Sequence, residues 1–365
     1  MALGAGMNGR VTALAVSGSS LYAGGTFSRA DGTLVNKVAV WNGSAWAAMG
    51  GGVNGSRVDV VAIVGTDVYV AGSFSDGSTG RNNIARWPGF SWQTLGAGLG
   101  GEVYALAVAG NDVYAARVNG VSKWSAGAWT DVAGIYFDND VYALAFSGGN
   151  LVIGGRFWGS GTMRARQLAQ WNRSSWGPVA SGIEGTVNAI AATDTDLYIA
   201  GEFQGVGPVR APHIAKWDGS TWSRLGSGVN GEVVALAARG THLYAGGSFT
   251  TAGGITVNRI ARWDGASWSA LASGFTNDVT ALHVTQPGVL YAGVTSGSSS
   301  TFRRWEGSSW STVSASLVNG HVFAFASSGS TLYAGGGASL KVRLLWGETA
   351  SSNTQVAAGS NSEPG

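Results

Sequence analysis

The chain has 365 residues, 60 of them glycine and only 6 proline, with 12% charged; this balance suits many short strands joined by tight turns rather than a helical protein. Its 22 basic and 20 acidic residues leave a net charge of +2, too weak a field to neutralise a phosphate backbone, so nucleic acid is set aside as a partner. The absence of cysteine excludes disulfides, thiolate metal sites and a cysteine nucleophile, and it leaves the redox compartment open.

Taken in chain order, the first element reads VTALAV from Val11. It recurs as VVAIV from Val60, VYALAV from Val103, VYALAF from Val141, VNAIAA from Val187, VVALAA from Val233, VTALHV from Val279 and VFAFAS from Val322. Small alanines alternating with larger apolar groups fit a strand packed on both faces near a crowded axis. The second element, LYAGG or a relative, is centred on Tyr22, Tyr69, Tyr114, Val152, Tyr198, Tyr244, Tyr291 and Tyr333, its glycines admitting a neighbouring backbone. The third ends on a tryptophan, as in IARW at Ile84 and at Ile260, and the turns WNGSAW, WDGSTW, WDGASW and WEGSSW carry hairpin chemistry. A fourth strand runs from the second tryptophan into W-x-x-L-G-x-G, for example Trp92 to Gly98 and Trp222 to Gly228.

The leading tryptophans fall at Trp41, Trp87, Trp124, Trp171, Trp217, Trp263 and Trp305, with a solitary eighth at Trp346, and the spacing of roughly 40 to 50 residues is that of four-stranded propeller blades. The expected fold is therefore all-β: an eight-bladed β-propeller of four-stranded blades over residues 1–346, with seven blades as the alternative if one divergent unit fails to form a sheet. A flexible tail or linker is expected over 347–365. No W-x-x-L-G segment follows Trp346, whereas Ala2-Leu3-Gly4-Ala5-Gly6 aligns with Thr94-Leu95-Gly96-Ala97-Gly98. The N-terminal strand is expected to complete the last blade, removing exposed sheet edges.

Of 16 tryptophans, eight lead a hairpin and seven follow at its second position, which reads most simply as interblade packing. Trp158 alone stands outside the repeat, in a loop from Arg156 to Gln167 that also holds Met163, Arg164 and Arg166. Loops joining second and third strands share one face with the connections between blades. The long ones run Thr26 to Lys37, Ser73 to Asn83, Arg156 to Gln167, Glu202 to His213 and Ser248 to Arg259. Binding residues concentrate on such loops, and blades four and five supply the candidate ligand-binding set Trp158, Arg164, Arg166, Gln204, Arg210 and His213. Residues just before the inner strands gather at the mouth of the axis: Arg10, Glu102, Asp140, Glu232, Asp278 and His321, of mixed sign. His213, His242, His283 and His321 occupy four blades at unrelated positions, so no metal and no cofactor is expected. Phe137-Asp138-Asn139-Asp140 lacks the rest of a calcium loop and reads as a turn. WDGSTW is similar to the Asp-box of sialidases but one residue shorter.

Across residues 2 to 346 the pattern N-G-x-V-x-A-L-A-V, L-Y-A-G-G-x-F, N-x-I-A-x-W-D-G-x-x-W-x-x-L-G-x-G resembles repeats of large bacterial surface and secreted propeller proteins. It also resembles the propeller region of fungal bud-site and cell-polarity marker proteins. That resemblance implies an extracellular or cell-surface interaction module without known catalytic residues. Met1 to Gly9 has no signal-peptide pattern, so the leader would lie outside this chain, and no apolar run is long enough to insert in a membrane. The leading functional expectation is a non-enzymatic binding or scaffold propeller, a monomer or a component of a larger assembly, that presents a loop face to a protein or glycan. The alternatives are a carbohydrate-active enzyme at the axis mouth, using acids such as Glu102 or Glu232, and a multivalent lectin with pockets between blades.

Overall fold

The computed structural model describes residues 3, 6–75, 81–132, 137, 139–147, 149–158, 166–178, 183–193, 195–285, 288–297, 299–314, 321–328, 331–337, 344–346 and 355–358. It is a β-propeller. Blade 1 is built from Val11–Ser17, Ser20–Gly25, Val38–Trp41 and Trp46–Ala48, hydrogen-bonded in that order from the axis outward. The same antiparallel order holds in blades 3 to 7, whose inner strands are Val103–Ala109, Val141–Ser147, Ile183–Ala192, Val233–Arg239 and Val279–Val284. Blade 2 has three strands, Gly55–Val64, Asp67–Ser75 and Asn82–Trp87, with a single outer bridge between Arg86 and Gln93.

The eight four-stranded blades expected from the repeat are corrected by this topology: there are seven blades, not eight. Among the described residues the last inner-strand copy, His321–Ser328, pairs only with Thr331–Gly337, a two-stranded sheet that packs between blade 7 and blade 1. Leu344–Trp346, the expected third strand, pairs instead with Gln355–Ala358, which joins the inner strand of blade 3 at Ala105 and Leu106. The reason is visible in the repeat. Trp346 has no second tryptophan and no Asp-Gly turn after it, so the tight two-tryptophan hairpin of the other units does not form, and the strand that pairs with Leu344–Trp346 comes from residues 355–358. The expected closure by an N-terminal strand completing that blade is corrected with it. Residues 1, 2, 4 and 5 lie outside the described residues, and Gly6 and Met7 join blade 1, through a Met7 to Ala30 bridge and a Gly6 amide donating to Asp31 Oδ1 at 3.1 Å.

Alternation explains why the inner strands sit where they do. Ala13 and Ala15, Ala105 and Ala107, and Ala143 and Ala145 are almost fully buried, letting neighbouring inner strands approach around the axis. Each inner strand also carries a β-bulge one residue after its opening valine. Val11 faces Gly25 and the next pair is Ala13 with Gly24; the same slip recurs at Val58 and Val60, Val103 and Ala105, and so on round the ring. The residue skipped by the ladder is Thr12, Asp59, Tyr104, Tyr142, Asn188, Val234 or Thr280, one per blade.

The tryptophans hold neighbouring blades together. In five hairpins the second indole donates Nε1–H to a carbonyl of the preceding blade, Trp92 to Met49, Trp129 to Leu95, Trp176 to Val132, Trp268 to Leu225 and Trp310 to Leu271, at 2.5 to 3.1 Å, and Trp46 donates to Leu3 near the N-terminus at 3.0 Å. The two indoles of one hairpin meet with ring centroids 5.2 to 5.5 Å apart. The final glycine of W-x-x-L-G-x-G has its own cause. Gly98 has φ +75°, and a Cβ there would collide with the Asn82 carbonyl; Gly52 and Gly274 meet Asn36 and Asn258 in the same way. Those three asparagines clamp the segment by donating Nδ2–H to Gly51, Ala97 and Ser273.

Candidate functional site: the loop face and the axis mouth

Each long loop leaves the second strand at a buried phenylalanine, Phe27, Phe74, Phe157, Phe203 or Phe249. In blades 1, 5 and 6 the loop returns through a residue held at positive φ, Lys37 (+70°), His213 (+62°) or Arg259 (+70°). Its amide donates to that phenylalanine carbonyl at 2.7 Å, and its carbonyl accepts from Gly25, Gly201 or Gly247. Between these anchors the loops are ordered. Blade 1 forms a small hairpin of Arg29–Ala30 and Thr33–Leu34, blade 6 forms one of Thr251–Ala252 and Ile255–Thr256, and in blade 5 the strand Leu197–Val206 pairs with Val209–Arg210.

The sequence-derived set divides accordingly. Gln204 and Arg210 are exposed on blade 5, and the amide nitrogen of Gln204 lies 3.3 Å from His213 Nε2 while His213 Nδ1 lies 3.0 Å from the Gly201 carbonyl. His213 therefore occupies a recurring turn position and is partly committed to it. Trp158 and Arg166 are brought opposite one another as a backbone pair at the strand end, so Trp158 lies in a strand rather than in a free loop. Their side chains, and Arg164 altogether, lie outside the described residues.

At the axis mouth the bulge residues and those just before them link one blade to the next. Thr12 Oγ1–H donates to the Val58 carbonyl, Asn188 Nδ2–H to Glu232 Oε1 at 2.7 Å, and the rings of Tyr104 and Tyr142 meet edge to face at 5.5 Å. Arg57 donates to Asp59 Oδ2 at 2.7 Å and pairs with Glu102 of blade 3. Asp59 is 1% exposed, and burial pushes its carboxyl up to about 6 against the opposing pull of Arg57 and Arg10. Burial and the neighbouring Asp140 raise the Tyr104 phenol well above its usual range. On the rim, Arg259 pairs with Asp278 at 3.1 Å. Matching the repeat at Val60 leaves Arg57 and Asp59 out of the candidate residues, whereas the counterpart of Val11 in blade 2 is Val58. The Arg-Val dipeptide shared by Arg10-Val11 and Arg57-Val58 was the available signal.

Among the described residues no three His, Asp or Glu side chains are grouped so as to hold a metal ion, and no helix is long and apolar enough to cross a membrane.

The profile of the Rax2 C-terminal beta propeller domain matches residues 181–325. No curated protein matches the chain. Among solved structures the chain is similar to the computationally designed Ika8 protein, with TM-score 0.63, 18% identity, and coverage of 97% of this chain and 98% of that one. It is also similar to U3-55K, with TM-score 0.52, 18% identity and coverage of 79% and 89%. YCF48 bound to D1 peptide gives TM-score 0.51, 14% identity and coverage of 78% and 90%. At such identities the likeness to solved structures is one of fold. The chain is thus a β-propeller resembling the Rax2 propeller domain, an architecture consistent with a protein-binding scaffold.

Proposed function

We propose that this chain is a binding propeller whose loop face docks a protein partner. The observation that carries the reading is the pair of ordered hairpins in blades 1 and 6, which hold Leu34 at 53% and Ile255 at 42% exposure on the face where blade 5 offers Gln204 and Arg210. Apolar side chains on loops already fixed by backbone hydrogen bonds lose little further freedom on docking, the condition under which small contact areas bind well. The acids at the axis mouth support binding over hydrolysis, since Glu102 is committed to Arg57 and Glu232 to Asn188. The fold neighbour YCF48, solved with a peptide, is in keeping with this use of a propeller. An extracellular or cell-surface setting and a bacterial origin belong to the same proposal and rest on the likeness of the repeat to surface propellers.

The test is affinity capture on the immobilised propeller with three proteins side by side: wild type, Leu34→Asp with Ile255→Asp, and a variant altered only on the opposite face. A protein retained by wild type and by the opposite-face variant but lost with the loop-face pair supports the reading. Retention by all three alike contradicts it, and capture abolished by free sugars moves the ligand to a glycan.

A further inference from the structure

The turns between third and fourth strands lie on the face opposite the long loops and follow W-x-G-x-x-W. Gly43, Gly89, Gly219, Gly265 and Gly307 occupy the glycine position with φ between +89° and +113°. Blade 4 has Arg173 there, at φ +76°. The turn itself is unchanged: Asn172 Oδ1 accepts from the Ser174 and Ser175 amides at 3.0 and 2.8 Å, as Asp218 does from Ser220 and Thr221. A long cationic side chain is thus held in a region that disfavours any residue with a Cβ, where five other turns use glycine and blade 3 has the small Ala126 at φ +51°. Such strain persists when the surroundings fix it, and it collects at binding sites.

A second, independent observation concerns what Arg173 faces. It lines a cleft of about 690 Å³ between blades 3 and 4, with Asp112, Tyr114, Lys123, Thr130 and Trp171, a size typical of small-ligand sites. Its Nε donates to the Gly149 carbonyl at 3.2 Å, which orients the guanidinium, and among the described residues no carboxylate lies within ion-pair distance of it. Lys123 and Asp112 are paired at 2.7 Å, so that wall presents a donor and an acceptor side by side. Asp131 is tied to Arg117 at 2.7 Å. Trp171 is half-buried and contributes an aromatic surface.

We propose that this cleft binds an acidic saccharide, a uronic-acid-containing glycan, with Arg173 as the fork that takes the carboxylate. A sugar ring offers apolar C–H groups to Trp171, and hydroxyls that both donate and accept suit the Asp112–Lys123 pair and Thr130. The planar guanidinium, which feels Asp112 across the cleft but is bridged by no carboxylate at ion-pair distance among the described residues, supplies bidentate recognition of a carboxylate, which a neutral sugar cannot use. The site is on the face opposite the proposed docking surface, so the two readings stand or fall separately.

The experiment is isothermal titration of the whole protein with trigalacturonate and, as the neutral control, maltotriose. Wild type is expected to bind trigalacturonate at one site, at least tenfold tighter than maltotriose. Arg173→Gly installs the residue of five other turns, and its melting temperature should equal or exceed that of wild type while affinity falls at least tenfold; Arg173→Lys, which keeps charge but not the fork, should fall between. Unchanged affinity in Arg173→Gly, equal affinity for the two sugars, or no binding of trigalacturonate by wild type would each overturn the proposal.

Discussion

Replacing Trp268 by phenylalanine isolates the contact that joins one blade to the next. Trp268 is 7% exposed, its Nε1–H reaches the Leu225 carbonyl at 2.8 Å, and its ring lies against Trp263 at 5.5 Å. The hydrogen bond contributes about 1 kcal/mol net, and the Leu225 carbonyl left without its donor costs roughly 1 kcal/mol more. The smaller ring gives up on the order of 40 Å² of buried apolar surface, about 1 kcal/mol at ~25 cal/mol/Å². The sum, about 3 kcal/mol, is to be read as a shift of the urea midpoint, followed by circular dichroism and by fluorescence so that loss of cooperativity is seen if it occurs. Trp310→Phe, whose indole reaches Leu271 at 2.9 Å, should behave alike. A loss below about 0.5 kcal/mol at unchanged slope would refute the view that these indoles clasp the ring.

Gly98→Ala should cost roughly 2 kcal/mol or more, because positive φ and the Asn82 carbonyl both oppose a Cβ, while Gly100→Ala, with open space around it, should be near neutral; equal melting temperatures would contradict this. The Asp59 carboxyl titrates near 6 in the fold, above its unfolded value, so its contribution is fully present below about pH 4 and is lost as pH rises through 6. The stability of Asp59→Asn relative to wild type should therefore improve by about 3 kcal/mol between pH 4 and 7, and parallel pH profiles would sink the argument. His283 is lowered to about 4 by burial, beside Ser327 of the two-stranded sheet at 2.8 Å. Its neutral form is the folded one, so wild type should lose stability as pH falls from about 6.5 to 4, and His283→Gln should lack that part of the acid limb; an identical limb in both would contradict the assignment.

The blade pattern was legible because each strand carries its own signature: alanine alternation inside, glycine in the second strand, and paired tryptophans around an Asp-Gly turn. Blade number was not. Val322 to Ser328 repeats the inner strand faithfully, yet without a second tryptophan after Trp346 there is no indole to clasp a neighbour, and the unit ends as two strands. Of the candidate site, the loop face could be read from loop length alone, whereas the role of His213 could not. Its equivalence to Lys37 and Arg259 depends on a shared positive φ that residue type does not announce. Arg57 and Asp59 are hidden by an apolar run, Val60 to Val64, that lets blade 2 be aligned two residues late, on Val60, while Arg173 stands in plain view as the one break of W-x-G-x-x-W that puts a long cation in a glycine's place.

The central claim is that partners dock on the loop face, and hydrogen exchange of the propeller with and without its captured protein partner tests it most directly. The account predicts slowed exchange at residues 28–36, 202–213 and 250–258, with the turns at 109–112 and 172–175 unchanged. Protection confined to those turns, or spread evenly over both faces, would contradict it.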